Sequence, residues 1–413
     1  MPHPEKSADV VIIGAGPSGA VAGTLLKRKG YKVTILEKQT FPRFSIGESL
    51  LPQCMEFVEQ AGMLEAVQAE PAFQFKNGAA FRFANDYSFF DFREKFSPGH
   101  GTTFQVQRAT FDKILADSAA KQGVSIHYRH EIRTIENSDD SVTVHGVDGD
   151  GKDFAVTARF LLDASGFGRV LPRLLDLEAP SGFPVRQSLF THVIDNIDCQ
   201  QFDREKILIT VHPQHRDVWY WLIPFANNKC SLGVVAKEAF FDQYRHLESE
   251  ERLKALVAED EHLSRLLANA EYPDPVNEIH GYSANVTSLV GPGYALLGNA
   301  GEFLDPVFSS GVTIAMKSAS MAADVLDRHL QGKAVDWQAE YAEPLKHGVD
   351  VFRTFVEAWY DGRFQDVIFY QNGSEQIRAM ISSILAGYAW DLNNPFVKQA
   401  ERRLNTIVEI CRG

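Results

Sequence analysis

The sequence predicts an α/β protein: a doubly wound parallel sheet, a second β-sheet beside it and a short helical C-terminal cap. Three observations carry this reading. A strand–Gly-x-Gly-x-x-Gly–helix–strand unit opens the chain between Ala8 and Gln39. Two further strand-to-glycine passages, Ala158 to Val170 and Tyr294 to Leu326, have the form of later strands of the same sheet. Between them lie aromatic-rich, strand-like pieces, and beyond about residue 345 the spacing of Phe352, Phe355, Trp359 and Tyr360 turns helical.

The first unit is read from its order. Val10 to Ile13 is continuously apolar, as a strand buried on both faces must be. Gly14, Gly16 and Gly19 follow, then a helix from Ala20 to Lys29 and a strand from Lys32 to Leu36 that ends in Glu37. The first glycine permits a tight turn, the second lets the backbone approach a pyrophosphate, and the third lets helix and strand pack closely. Pro17 and Ser18 open the helix, whose N-terminal amides suit phosphate. Glu37 can accept hydrogen bonds from ribose hydroxyls, and Lys38 follows it. This is a Rossmann-type dinucleotide site. The acid at position 37 disfavours NADP, whose 2′-phosphate would meet like charge, and leaves NAD and FAD open.

Composition narrows the function classes. The chain has 413 residues, 45% hydrophobic and 23% charged, with a formal net charge of −13. That balance is globular and argues against a nucleic-acid partner, which would want a basic face. Cys54, Cys199, Cys230 and Cys411 are scattered without a C-x-x-C, so reduced thiols are expected and neither a metal site nor a disulfide framework is. The N-terminus passes directly into a strand and no apolar run is long enough to span a bilayer, so a cytoplasmic protein without a membrane span is expected.

The later passages separate the two dinucleotides. Gln107 and Arg108 precede an amphipathic helix carrying Phe111, Ile114 and Leu115, where Arg108 can hold a phosphate or ribityl oxygen or simply start the helix in solvent. The strand Ala158 to Leu162 ends in Asp163-Ala164-Ser165-Gly166. The last passage places Gly298 and Asn299 before a helix that begins near Ser310. Sites spread over some 300 residues fit an extended cofactor, FAD, better than NAD.

This constellation resembles the FAD-dependent monooxygenase superfamily with an aromatic-hydroxylase-like fold, although that family usually has Gly-Asp where this chain has Gly298-Asn299. Within it the chain resembles the flavin-dependent halogenases. Trp219, Trp221, Ile223 and Pro224 match the W-x-W-x-I-P pattern, and Phe303, Pro306, Ser309 and Gly311 match F-x-x-P-x-x-S-x-G. The segment Phe41 to Pro52, with Arg43 and Ser49, and the stretch Phe75 to Phe83 are similar to further family segments. The resemblance implies bound FAD, reduced by a separate flavin reductase, and a halide ion, chloride or bromide. Pro306, Gly311 and Val312 would lie against the flavin, with Ser309, Ser310 and Gly311 as halide donors. Trp219, Trp221, Pro224 and Phe303 would wall a tunnel carrying hypohalous acid to Lys76, the catalytic amine. An electron-rich aromatic, free or tethered to a carrier protein, would receive the halogen. Tryptophan halogenases carry Glu where this chain has Phe308, which points to the phenol- and pyrrole-type branch.

Plainer readings stand beside these. A lysine on an alternating strand is commonly solvated, two tryptophans are commonly core, and serines commonly cap helices. A hydroxylase, a geranylgeranyl-reductase-like enzyme and a non-catalytic flavin carrier also fit the N-terminal motifs. The expected organisation is discontinuous. Residues 8–70, 105–180 and 285–345 form the FAD domain, 71–104 and 181–284 a substrate domain, and 346–413 the helical cap, short enough to leave the substrate pocket open.

Overall fold

A computed structural model describes residues 6–138, 140–198, 200 and 202–413. Cys199 lies outside the described residues; Cys54, Cys230 and Cys411 are free thiols.

The apolar strand Ser7–Ile13 lies at the centre of the first sheet, parallel to Val33–Glu37 on one side and to Asp153–Asp163 on the other. Ser125–Tyr128 and Tyr294–Leu296 extend the parallel order outward. Parallel strands buried on both faces need helices to cover them. Pro17–Arg28, Arg108–Lys121 and Ser310–Leu330 contribute to the core packed on this sheet, with Val21, Phe111 and Met316 fully buried. An antiparallel flap, His130–Asn137 with Val142–Asp148, continues from Asp153–Asp163.

The four strand-like pieces of the middle region fall side by side in a second sheet. Its order is Asn277–His280, Arg186–Ile194, Lys229–Lys237, Trp219–Pro224, Lys206–Val211, Gly78–Phe83 and Asp86–Asp91. Side chains alternate across it. Tyr220 and Leu222 pack with Leu253, Leu256 and Val257 of the helix Ser249–Ala258, and the Tyr220 hydroxyl donates to Leu256 O at 2.9 Å. Trp219, Trp221 and Ile223 face the other way, toward the first sheet and the C-terminal helices. Both sides of the Trp219–Pro224 strand are therefore buried.

One expectation is corrected. Phe75 to Phe83 is not one alternating strand. Gln74–Lys76 pairs with Thr103–Gln105 in a separate ribbon, and Gly78–Phe83 enters the large sheet. The break falls at Asn77, whose N–H donates to Glu205 O and whose carbonyl accepts from Phe92 N–H. After the helix Ser249–Ala258, Asp260 caps a further one, Glu261–Leu266, by accepting from Leu263 N–H.

The C-terminal region is helical, in Glu343–Tyr360, Arg363–Phe369, Glu375–Leu385, Pro395–Lys398 and Ala400–Arg412. Asn394 caps the fourth of these by accepting from Phe396 N–H. These helices do not leave the Lys76 region open. Phe96 N–H donates to Ala379 O, Ser97 N–H to Ser383 Oγ, and Ser382 Oγ to Asp91 O, fastening the helix Glu375–Leu385 to the segment 91–97, which includes the Phe92 ring beside Lys76. Among the described residues, no helix is long and apolar enough to cross a membrane.

Candidate functional site

A cavity of about 700 Å³ runs from the glycine loop to the two tryptophans. Its first end is built by close backbone approach. Gly14 has φ of +94°, and a Cβ there would stand 2.6 Å from Ala164 O; one at Gly19 would stand 1.9 Å from Gly14 O. The helix Pro17–Arg28 starts at Gly16 with no side-chain cap, so its first amides are open toward the cavity that Gly14, Gly16, Pro17 and Ser18 line. Gly19 packs behind the loop. Glu37 lines the cavity and also holds the loop's shape, accepting from Ala15 N–H at 2.9 Å and Gln39 N–H at 2.8 Å.

The remaining nucleotide candidates divide into wall and support. Lys38, Arg43, Ser49, Arg108, Ala164, Gly166 and Asn299 line the cavity. Lys38 pairs with Glu131 at its rim. Arg108 is clamped to Asp112 at 2.8 Å and to Ile46 O at 2.6 Å, so it fixes the segment before Ser49 besides facing the cavity. Arg43 reaches the same Asp112 at 3.3 Å. Asp163 does not reach the cavity wall. Its two oxygens accept from Ser165 N–H and Leu171 N–H, and burial raises its carboxyl despite those bonds. It shapes the turn that presents Ala164 and Gly166. Gly298 likewise sits behind Asn299, against Ala315.

At the far end, Phe303, Pro306, Ser309, Gly311 and Val312 line the cavity, while Ser310 is turned inward. Ser309 caps the helix Ser310–Leu330 with φ of +55°, a left-handed conformation unusual for a side-chain-bearing residue, and offers no side-chain cap bond. A second helix N-terminus is therefore open toward the cavity. Trp219 and Trp221 both line it, with ring centroids 5.9 Å apart, and Pro224 lies outside it. Trp221 lies across Gly233 of the neighbouring strand, where a Cβ would come within 2.2 Å of the indole, and its Nε1 donates to Ser231 Oγ at 3.0 Å.

Sequence reasoning missed what holds these parts together. Trp219 Nε1 donates to the Tyr360 hydroxyl at 2.9 Å, and that hydroxyl donates to Asp305 Oδ2 at 2.9 Å. Asp305 Oδ1 accepts from Val307 N–H, bracing the Pro306 turn. Burial pushes the Asp305 carboxyl up to about 6, against the opposing pull of Arg186, the Val307 amide and the two tyrosine hydroxyls of Tyr360 and Tyr282. Glu48 was missed as well: it lines the cavity and pairs with His192 at 2.7 Å. Asp305 and Glu48 stand inside the quoted motifs; Tyr360 and His192 carry no sequence signal.

Lys76 is fully buried. Its Nζ donates to Ser49 Oγ at 2.8 Å and to Leu50 O at 2.7 Å, and lies 5.5 Å from the centre of the Phe92 ring. Burial lowers its pKa from 10.5 to about 7. Lys76 is absent from the cavity wall, whereas its partner Ser49 is part of it.

The arrangement fits FAD. The cavity is long, two open helix N-termini face its ends, and the Asn299 side-chain oxygen Oδ1 is buried without a partner beside it among the described residues. A family model described as an FAD binding domain matches residues 7–347. The chain is 30% identical over 396 residues to a 1H-pyrrole-2-carbonyl-[peptidyl-carrier protein] brominase of Pseudoalteromonas luteoviolacea, covering 94% of this chain and 93% of that one. It is 30% identical over 329 residues to a tryptophan 2-halogenase of Chondromyces crocatus; the match takes in 77% of this chain and spans only 60% of that relative's length. A solved structure, a flavoprotein/dehydrogenase from Cytophaga hutchinsonii, superposes with a TM-score of 0.94 at 42% identity, over 98% of this chain and 99% of that one.

Proposed function

Because the chain belongs to the flavin-dependent halogenase family of FAD-binding proteins, we propose that it halogenates an electron-rich aromatic with reduced FAD, O2 and a halide. Lys76 carries this reading: a buried amine with a pKa near neutrality, hydrogen-bonded to Ser49, a residue of the cavity wall.

Reduced FAD, when bound, would supply with O2 the oxidant that converts halide to hypohalous acid. The amides at the start of Pro17–Arg28 would hold its phosphates, Glu37 and Asn299 would meet its sugar and ribityl hydroxyls, and the open turn at Ser309 and Gly311 would receive the halide. Trp219 and Trp221 form an apolar wall that keeps bulk water from the oxidising end. Lys76, able to be amine or ammonium near pH 7, would hold the hypohalous acid by a hydrogen bond, or as amine take its halogen with release of water, and return to the amine when the aromatic attacks the halogen and gives up its ring proton. The substrate is presented free or on a carrier protein, and a separate reductase delivers the reduced flavin. In this scheme residues 8–70, 105–180 and 285–345 hold the cofactor, and 71–104 with 181–284 form the substrate side.

The test is an assay with chemically reduced FAD, O2 and bromide on monochlorodimedone or a phenol, followed by mass spectrometry. Brominated product in wild type and none in Lys76→Ala is expected; a Lys76→Ala protein that still brominates removes Lys76 from the scheme. A second reading is favoured by the 42% identity to a protein described as a flavoprotein/dehydrogenase. Oxidation of NADH or NADPH by the isolated protein, with no halogenated product, would select that dehydrogenase reading instead.

A further inference from the structure

The Lys76 amine is sealed from the cavity, and the residue standing between them is Ser49. Ser49 lines the cavity, and its hydroxyl belongs to the Lys76 hydrogen-bond set. Its place is fixed by backbone. Gln74–Lys76 pairs with Thr103–Gln105, and the segment around Ser49 runs along the same short strand: Ser49 bridges Gln105, Leu50 N–H donates to Phe104 O, and Val106 N–H donates to Glu48 O. Lys76 and Ser49 are therefore held in register by one intervening strand. The Ser49 oxygen accepts from Lys76. Its own hydrogen has only Gln105 Oε1 at 3.5 Å, too long to hold it firmly. The hydroxyl can thus keep the amine's bond while offering its hydrogen to an oxygen arriving from the cavity.

We propose that Ser49 is the transfer point between cavity and Lys76, donating to the oxygen of a hypohalous acid on one side while orienting the Lys76 amine on the other. The inference rests on the halogenation reading and assigns a residue to its least explained step, the passage from the open cavity to a closed lysine. Leu50 O is the second acceptor of Lys76 and is backbone, so Ser49 is the part of this pair that a substitution can remove.

The experiment compares full-length wild type with Ser49→Ala and Ser49→Thr, loaded with FAD, in two measurements. The first is the fraction of O2 consumed that ends as brominated phenol. It should fall at least tenfold in Ser49→Ala, with peroxide making up the difference, and recover in Ser49→Thr. The second is the Lys76 amine pKa, followed by NMR of isotope-labelled lysine and assigned with Lys76→Met. Loss of a hydrogen bond to a charged donor should lower it by about one unit in Ser49→Ala and leave it near the wild-type value in Ser49→Thr. Should Ser49→Ala not fold, Ser49→Cys, of similar size and weaker as an acceptor, should shift both readings in the same direction. A wild type that makes no product sinks the halogenation reading, and the NMR comparison then decides alone whether Ser49 holds the amine. A productive wild type with Ser49→Ala equally well coupled and its Lys76 pKa unmoved overturns the assignment of Ser49.

Discussion

Replacing Lys76 with Met tests the buried amine without reference to any reaction. A fall in pKa from 10.5 to about 7 corresponds to about 5 kcal/mol against the charged form. The native state releases its proton near pH 7, the unfolded chain only near 10.5. Between those values the unfolded chain binds more protons, so the wild type gains stability as pH rises, by about 1.4 kcal/mol per unit. Below pH 7 both states are protonated and the full penalty applies. Methionine has no such penalty. It does leave Ser49 Oγ and Leu50 O without their donor, at a cost of about 1–3 kcal/mol each, and that cost sets the level of the difference between the proteins but not its slope. Urea unfolding of flavin-free wild type and Lys76→Met, followed by tryptophan fluorescence from pH 6 to 9.5, should show a difference that is constant below pH 7. Above it, the wild type should gain on the variant by about 1.4 kcal/mol per unit. A difference that is flat across the whole range would mean that Lys76 titrates like a surface lysine, and the account of its burial would fail.

Three further outcomes are expected. Gly14→Ala puts a methyl 2.6 Å from Ala164 O and should leave the purified protein colourless; FAD fluorescence quenching with wild-type affinity would contradict the close-approach argument. Gly233→Ala drives a methyl into the Trp221 indole, and overpacking of this kind costs about 1–3 kcal/mol, visible as a lower melting temperature with altered tryptophan emission. Tyr360→Phe strips partners from Trp219 Nε1 and Asp305 Oδ2 together, so chemical denaturation should show a loss of about 2 kcal/mol or more; a loss of a few tenths would mean that neither bond matters.

The glycine loop was legible because its chemistry is local. Spacing, strand and helix all lie within one stretch, and Gly14, Gly16 and Glu37 sit where that order requires. The four middle strands were legible as strands because alternation and aromatic content survive in any register, but their order in the sheet rests on contacts distant in sequence. Lys76 shows the limit. An alternating pattern from Phe75 to Phe83 hides the switch of partners at Asn77, which hydrogen bonds from Glu205 and Phe92 determine. Asp163 shows another: its position marks the loop, yet its two oxygens are taken up by the backbone amides of the turn behind the cavity wall. Tyr360 and His192 could not be found at all, since a single tyrosine on a helix or histidine on a strand carries no period or motif.

Tyr360 also bears on how the protein can be altered. One phenol links the first of the C-terminal helices, Glu343–Tyr360, to the Pro306 turn and to an indole of the middle sheet, three segments far apart in sequence. Trimming or refitting the helices beyond it is therefore not a remote edit: a shift of this helix would loosen two contacts at once and reach the Pro306 turn in the cavity wall. Whoever grafts a new tail onto this scaffold inherits that rivet and must keep it.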